Sequence, residues 1–161
     1  MKRRDIIALA VFLLLVVLTS AFGALVTSPG AWYAGLDKPP WTPPNWLFGP
    51  VWTVLYIMIA VAAFLVWRRA GGVGPARWAF VAWGVQLALN AAWSWIFFSL
   101  RRPDWAFIEI AVLFVAIVVT MVLFARWSRP AMGLLVPYLF WVSFAAALTL
   151  RIWQLNGPTP G

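Results

Sequence analysis

Apolar residues dominate five long runs along the chain, and glycine, proline and arginine interrupt the sequence between them. Each run has about 18–22 residues, and a helix of that length crosses the roughly 30 Å hydrocarbon core of a bilayer. The pattern therefore predicts an all-α membrane protein, a bundle of five transmembrane helices in a single domain, 1–161. The predicted helices lie at about 6–26, 50–67, 78–99, 104–125 and 132–153, and the longest connection is 27–49.

Composition supports a membrane as the solvent for this chain. Of the 161 residues, 65% are hydrophobic and 10% are charged, with a mean hydropathy of +0.91, whereas soluble domains carry about 25% charged residues. The net charge of +8 arises from short basic clusters between the apolar runs, and this arrangement favours contact with lipid headgroups over nucleic-acid binding. We therefore expect membrane lipid, and no nucleic acid, among the partners.

The positions of Lys and Arg indicate how the helices are oriented. With the N-terminus inside, the inner segments carry eight basic residues and the outer segments carry four. This bias predicts an inside N-terminus and an outside C-terminus in the cell membrane of a bacterium, with the 27–49 connection on the outer side. The start of the chain also resembles a cleavable signal peptide ending near Ala21 to Ala24, but the length of the run and the spans that follow favour a retained helix.

Several kinds of chemistry are excluded by residues that the sequence lacks. It contains no cysteine and no histidine, which removes disulfides, the usual zinc and haem ligands, and Ser/His or Cys/His catalysis. Only four acidic residues occur, and they are scattered along the chain. We predict no metal site and no required cofactor.

The connection that precedes the second helix has an unusual composition. Residues 31–52 contain four tryptophans and five prolines. Tryptophan is enriched at membrane interfaces, so one interpretation is an aromatic belt. The prolines restrict the backbone and favour the other interpretation, a rigid loop that folds back as a lid on the helix bundle.

The third predicted helix has two distinct faces. One face carries two amides and two aromatic rings within about 60° of one another, and it predicts either a ligand pocket or ordinary interhelical hydrogen bonding. The other face carries small residues spaced by four, which allow close helix contact and indicate a homodimer seam. The polar face consists of Gln86, Asn90, Trp93 and Phe97, and the small face consists of Gly84, Ala88 and Ala92.

Two other helices offer rings at the helical spacing of four. Trp52 and Tyr56 share a face of the second helix, and Trp141 and Ala145 share a face of the fifth. Flat rings suit a flat aromatic ligand through offset stacking. A macrocycle without a metal, or one held by stacking and by its carboxylates, fits this set of residues. Such carboxylates would meet basic residues on the outer side, and the candidates are Lys38, Arg101, Arg102 and Arg151.

Four stretches resemble motifs of the TspO/MBR family, which comprises tryptophan-rich sensory proteins, translocator proteins and the peripheral-type benzodiazepine receptors. The resemblance runs from about 23 to 153. The matching stretches are Trp32-Tyr33-Ala34-Gly35-Leu36 with Lys38-Pro39, Trp41, Pro43-Pro44 and Trp46; Gly49-Pro50-Val51-Trp52-Thr53 with Tyr56; Gln86 to Asn90 with Trp93 and Ile96-Phe97-Phe98; and Pro137-Tyr138-Leu139 with Trp141.

The resemblance implies a five-helix bundle, often dimeric, that binds porphyrins such as protoporphyrin IX or haem and synthetic aromatic drugs such as benzodiazepines. It implies sensing, transport or regulation of tetrapyrrole levels. The alternatives are light- and oxygen-dependent porphyrin degradation by Trp52 and Trp141, or a regulatory interaction protein with a sterol or lipid ligand. By matching motif positions, the implied pocket residues are Tyr33, Trp52, Tyr56, Asn90, Trp93, Trp141 and Ala145.

Three further features bear on the comparison with the family. The sterol-recognition pattern of animal members requires a Tyr and a final basic residue. This chain has Leu150 and Gln154 at those positions, so sterol binding through that pattern is not expected. Ser94 and Trp95 stand where animal members have paired prolines, which predicts a straighter third helix. Glu109 matches an acidic position of those members, and we interpret it as an interface carboxylate near the arginines that follow the third helix.

Overall fold

The computed structural model describes residues 2–27 and 30–158, and these residues fold into helices joined by short turns. Five helical spans are long and apolar enough to cross a membrane, which confirms the predicted fold class. The fifth span is made of two helices that follow one another directly. In chain order the elements are α1 (Arg3–Val26), α2 (Ala31–Gly35), α3 (Asn45–Ala70), α4 (Arg77–Ser94), a π-helical turn (Trp95–Ser99), α5 (Pro103–Ala125), α6 (Arg129–Leu134) and α7 (Val136–Asn156).

The helix ends follow local sequence signals. α3 ends at Gly71, whose φ of 76° lies in the left-handed region where glycine carries no steric penalty. α5 begins with Pro103, which has no N–H to leave unpaired in the first turn. α6 is capped by the Ser128 hydroxyl, which accepts a hydrogen bond from the Ala131 N–H. These signals explain why most of the predicted helix bounds lie close to the observed ones.

The predicted 27–49 connection is shorter in the structure, because α3 begins at Asn45 and continues through Pro50. A proline near the start of a helix removes only one early hydrogen bond, so it does not have to mark the first residue. Pro44 has an extended backbone and acts as the N-cap. The connection also contains the short helix α2, which the sequence pattern did not predict.

The third span does not run straight to its end. After Ser94 the helix widens into the π-helical turn, in which the Leu100 N–H donates to the Trp95 carbonyl oxygen at 3.1 Å. The prediction of a helix straighter than that of animal members did not include this wider turn. The wider turn places Phe97 in the core and Phe98 against a cavity, and such turns are frequent at functional sites.

The spans pack as a closed ring. α1 contacts α3 and α4, α5 contacts α4 and α7, and the fifth span returns to α3 through α6. Large apolar side chains remain exposed around the outside of the ring, such as Leu14 and Val17 on α1 and Val115 and Val122 on α5. Helices that are apolar on all sides are typical of a membrane environment. The chain is a multi-pass membrane protein.

Candidate functional site

A cavity of about 360 Å³ lies inside one end of the ring, between α1, α3, α4 and α7. This volume falls at the low end of the range for pockets that hold small organic ligands. None of the described residues that line it is charged. The lining consists of Ser20, Gly23, Ala24, Thr27, Tyr33, Asn45, Phe48, Gly49, Trp52, Thr53, Tyr56, Asn90, Trp93, Ser94, Phe98, Trp141 and Ala145.

Three tryptophans from three different spans form the aromatic wall of the cavity. The Trp52 ring lies 5.3 Å from the Tyr56 ring, centroid to centroid, and the Trp93 ring stacks on Phe97 at 5.2 Å. Trp141 is held between two phenylalanine rings at 5.5 and 5.7 Å. Since each tryptophan packs against a neighbouring ring, its orientation is fixed before any ligand arrives.

A chain of hydrogen bonds forms the polar floor of the cavity. The Tyr56 hydroxyl donates to Asn90 Oδ1 at 2.6 Å, and Asn90 Nδ2 donates to the Tyr138 hydroxyl oxygen at 3.1 Å. The Tyr138 hydroxyl donates in turn to Gln86 Oε1 at 2.9 Å. All four side chains are buried, so the hydrogen bonds join α3, α4 and α7 inside the bundle, where an unpaired polar group would be costly.

Tyr33 of α2 contributes the aromatic ring that the first connection presents to the cavity. Its ring lies 5.6 Å from that of Phe98, and the residue is buried. Lys38 Nζ donates to the carbonyl oxygens of Tyr33 at 2.6 Å and Leu36 at 3.0 Å, and lies 4.7 Å from the Tyr33 ring centroid. Burial raises the pKa of the Tyr33 hydroxyl above its ordinary value, so this hydroxyl remains neutral at physiological pH.

A clasp holds the first connection against the end of α7. The Asp37 N–H donates to Asn156 Oδ1, and Asn156 Nδ2 donates back to the Asp37 carbonyl oxygen, each at 2.8 Å. Asn156 Nδ2 also donates to Ile152 within α7. The two residues are 119 positions apart, so the clasp was not visible in the sequence pattern.

Seven of the nine residues predicted to contact a ligand line this one cavity. The two others, Gln86 and Phe97, do not reach it. Gln86 lies at the far end of the hydrogen-bonded floor, and Phe97 lies behind Trp93. Both were predicted from the helix face that they share with Asn90 and Trp93, and that face is wider than the cavity.

Most of the outer basic residues already have partners within the chain. Lys38 is engaged by the carbonyl oxygens around α2, and Arg102 forms a two-bond pair with Asp104. Arg151 donates to Gln154 on the next turn of α7. Arg101 is exposed, forms no hydrogen bond or ion pair with the described residues, and lies 5.9 Å from the centroid of the Trp32 ring. Of the predicted cations, Arg101 is therefore the one best placed to meet a ligand carboxylate.

Glu109 does not lie where we interpreted it from the sequence. Both of its carboxyl oxygens are buried, and neither has a hydrogen-bond partner among the described residues. Arg102 pairs instead with Asp104, which lies two positions away in the first turn of α5. Glu109 is consequently an unpaired polar group in the interior of the bundle, where such groups are costly.

Sequence reasoning missed the contribution of α1 to the cavity. Ser20, Gly23, Ala24 and Thr27 line one side of it. Between its charged first turn and these residues α1 is almost entirely apolar, so the sequence pattern did not indicate which side of the helix faces a cavity. Gly23 and Ala24, from the stretch that resembles a signal-peptide cleavage site, belong to this wall, and their small size leaves room for the opposing rings.

The predicted homodimer seam lies outside the cavity. Gly84 and Ala88 are exposed on α4, and a Cβ built on Gly84 would meet no atom within 4 Å. This face is open within a single chain.

The fold and the cavity define a multi-pass membrane protein with an aromatic chamber enclosed at one end of a five-helix ring. Residues 10–154 match the model of the TspO/MBR family. The chain belongs to this family, which confirms the resemblance seen in the sequence motifs.

Similar proteins occur in bacteria, archaea and animals. The chain is 42% identical over 155 residues to the tryptophan-rich protein TspO of Chlorobaculum tepidum, covering 95% of this chain and 98% of that protein. It is 38% identical over 154 residues to TspO of Archaeoglobus fulgidus, covering 94% and 99%. It is 41% identical over 128 residues to the human translocator protein, covering 78% and 75%.

Proposed function

We propose that this protein binds a porphyrin-type tetrapyrrole in the cavity, and that it serves to sense, transport or regulate such compounds. One observation carries the proposal: Trp52, Trp93 and Trp141 converge from three spans on a single cavity whose described lining carries no charge. Large rings around an uncharged chamber favour a flat, apolar, aromatic ligand.

The few polar groups at the cavity suit the edge of a macrocycle. Tyr33 supplies a neutral hydroxyl from the loop, and Asn90 supplies an amide that Tyr56 already orients. The described residues contain no group of three or more His, Cys, Asp or Glu side chains that could hold a metal ion. Stacking and hydrogen bonds therefore provide the binding, with Arg101 available for a propionate outside the chamber.

The volume of the cavity sets a condition on binding. At about 360 Å³ the chamber is small for a whole tetrapyrrole with its side groups. Ala24 of α1 and Gly49 and Thr53 of α3 line the cavity and are also exposed. We infer that the macrocycle extends through the gap between these two helices, or that the first connection moves outward when it binds.

A matched pair of alanine substitutions tests the proposal. Ala145 lines the cavity, whereas Ala147 is exposed on the outside of the same helix. We expect Ala145→Phe to weaken binding of protoporphyrin IX by about fivefold or more, because overfilling a packed site costs about 1–3 kcal/mol. Ala147→Phe leaves the affinity unchanged. The measurement is a titration of purified protein followed by porphyrin absorbance, and equal affinities for the two variants would refute this site.

A second candidate function is light- and oxygen-dependent degradation of the porphyrin. The observation that favours it is that Trp52 and Trp141 both line the chamber, so both rings would lie against a bound, photo-excited macrocycle. Illumination in air should then yield a product that is lost in the Trp52→Phe, Trp141→Phe double variant while porphyrin binding persists. Formation of the same product in protein-free detergent would rule out an enzymatic role.

The names of the relatives bear on how bound ligand is used. The human relative is called a translocator protein, which supports transport.

We propose a bacterial cell membrane as the location, an inside N-terminus, and a homodimer formed through Gly84, Ala88 and Ala92. The small, exposed face of α4 supports the dimer.

A further inference from the structure

A second hollow lies on the outside of the ring, at the end opposite to the aromatic chamber. It is a groove of about 750 Å³ between the first half of α1 and the adjoining parts of α3 and α4. One face of α1 forms its edge, through Ile7, Val11 and Leu15. These side chains are exposed, so the groove opens toward the lipid.

The floor of the groove is a rigid cluster of rings. Phe12 stacks on Phe80 at 5.6 Å and meets the Trp83 ring edge-on at 5.5 Å. Trp83 Nε1 donates to the Ile59 carbonyl oxygen at 3.3 Å, which satisfies its one polar group. The floor is therefore apolar throughout and suits a hydrocarbon chain.

Two arginines stand at the end of the groove where α1 begins. An Arg4 guanidinium N–H donates to the Gly71 carbonyl oxygen at 2.6 Å, and the Arg4 guanidinium lies 4.9 Å from the Trp67 ring centroid. Arg3 is exposed and has no hydrogen-bond or ion-pair partner among the described residues. One guanidinium is thus held in place and the other is free, an arrangement that complements a phosphate.

The length of the groove matches one leaflet of a bilayer. From Arg4 to Leu15 the helix advances eleven residues, or about 16 Å along its axis at about 1.5 Å per residue. Half of a hydrocarbon core of roughly 30 Å is about 15 Å. We propose that this groove is a binding site for one anionic glycerophospholipid, with an acyl chain along α1 and the phosphate between Arg3 and Arg4.

Native mass spectrometry of the full chain tests the headgroup contact. Palmitoyl-oleoyl phosphatidylglycerol and palmitoyl-oleoyl phosphatidylcholine have the same acyl chains. A difference in their occupancy therefore measures the contribution of the headgroup and its net charge. We expect the wild type to bind more phosphatidylglycerol than phosphatidylcholine. Arg3→Gln should lower this ratio of occupancies by about fivefold. Arg69→Gln is the control, because Arg69 is exposed at the same end of the bundle but outside the groove. Equal binding of the two lipids, or an equal loss in both variants, would overturn the site.

A second substitution tests the acyl-chain contact. Gly84 lines the groove, and a larger side chain there has open space around it, so Gly84→Leu should fold and obstruct the groove. We expect it to lower phosphatidylglycerol occupancy severalfold, whereas Gly133→Leu, at another open position, leaves it unchanged. The same spectra report dimers. Gly84 also belongs to the proposed dimer face, so a loss of dimers alone does not decide the question. If Gly84→Leu leaves phosphatidylglycerol occupancy unchanged, the lipid site is rejected, whether or not dimers are lost.

Discussion

At the scale of single residues, Asn90 is the point where three spans meet. Its amide accepts from Tyr56 of α3 and donates to Tyr138 of α7 while its own backbone belongs to α4. The same side chain lines the cavity. Asn90 therefore stabilises the bundle and shapes the binding site through one amide group.

We expect Asn90→Leu to lower the free energy of unfolding by about 1–2 kcal/mol, because it removes two interhelical hydrogen bonds and leaves two buried hydroxyls without that partner. Unfolding in a titration with sodium dodecyl sulfate measures the change. Ser143→Ala is the control, since within the described part of the chain the Ser143 hydroxyl donates to the Leu139 carbonyl oxygen of its own helix and to no other helix. A variant as stable as the wild type would show that the chain of hydrogen bonds is not structural.

Replacing Glu109, in contrast to Asn90, is expected to stabilise the protein. Because its buried carboxyl oxygens have no partner among the described residues, Glu109→Leu should raise the free energy of unfolding by about 1–3 kcal/mol. Glu109→Gln retains an unpaired polar group of the same shape, so its free energy of unfolding should rise by less. The same detergent titration measures both variants. A loss of stability in Glu109→Leu would mean that the carboxyl has a partner in the folded protein.

At the scale of elements, the first connection is a structured cover. α2, the Lys38 contacts and the Asp37–Asn156 clasp tie it to itself and to α7. The prolines around Trp41 limit the backbone between these points. The cover therefore has a defined resting position over the chamber and a small number of bonds that must break for it to move.

Asn156→Ala removes both hydrogen bonds of the clasp to Asp37. At about 0.5–1.5 kcal/mol for each bond, opening should become roughly tenfold more frequent. Hydrogen–deuterium exchange of the backbone amides in 30–38 measures this rate. Gln154→Ala is a suitable control because Gln154 is exposed and its side chain, among the described residues, is hydrogen-bonded to Arg151 on its own helix and not to the first connection. Unchanged exchange in Asn156→Ala would show that the clasp does not hold the cover.

The elements also show where sequence reasoning succeeded. Asn90 and Trp93 were predicted because they share a helix face that interrupts an apolar run, and Trp52 and Trp141 because of their spacing and the family motifs. The clasp joins residues 119 positions apart, and the π-helical turn depends on backbone bonds that no side-chain pattern reports. Helical periodicity shows which residues share a face of a helix, but it cannot show how much of that face lines a cavity. For this reason Gln86 and Phe97 were predicted as ligand contacts although they do not line the chamber.

At the scale of the whole molecule, orientation in the membrane can be tested directly. The chain has no cysteine, so a single introduced cysteine is a unique label site. Pro40 and Gly74 are exposed in connections at opposite ends of the ring. With the N-terminus inside, a membrane-impermeant maleimide should label Pro40→Cys in intact cells and Gly74→Cys only after permeabilisation. The reverse pattern would contradict the inside N-terminus.

The central claim is that a tetrapyrrole occupies the chamber beneath the first connection, and a structure of the protein with protoporphyrin IX bound tests it most directly. We predict that the macrocycle lies against Trp52, Trp93 and Trp141, with one edge toward Asn90 and the other extending between α1 and α3. A porphyrin bound on the lipid-facing surface, with these three rings arranged as they are without ligand, would contradict the claim.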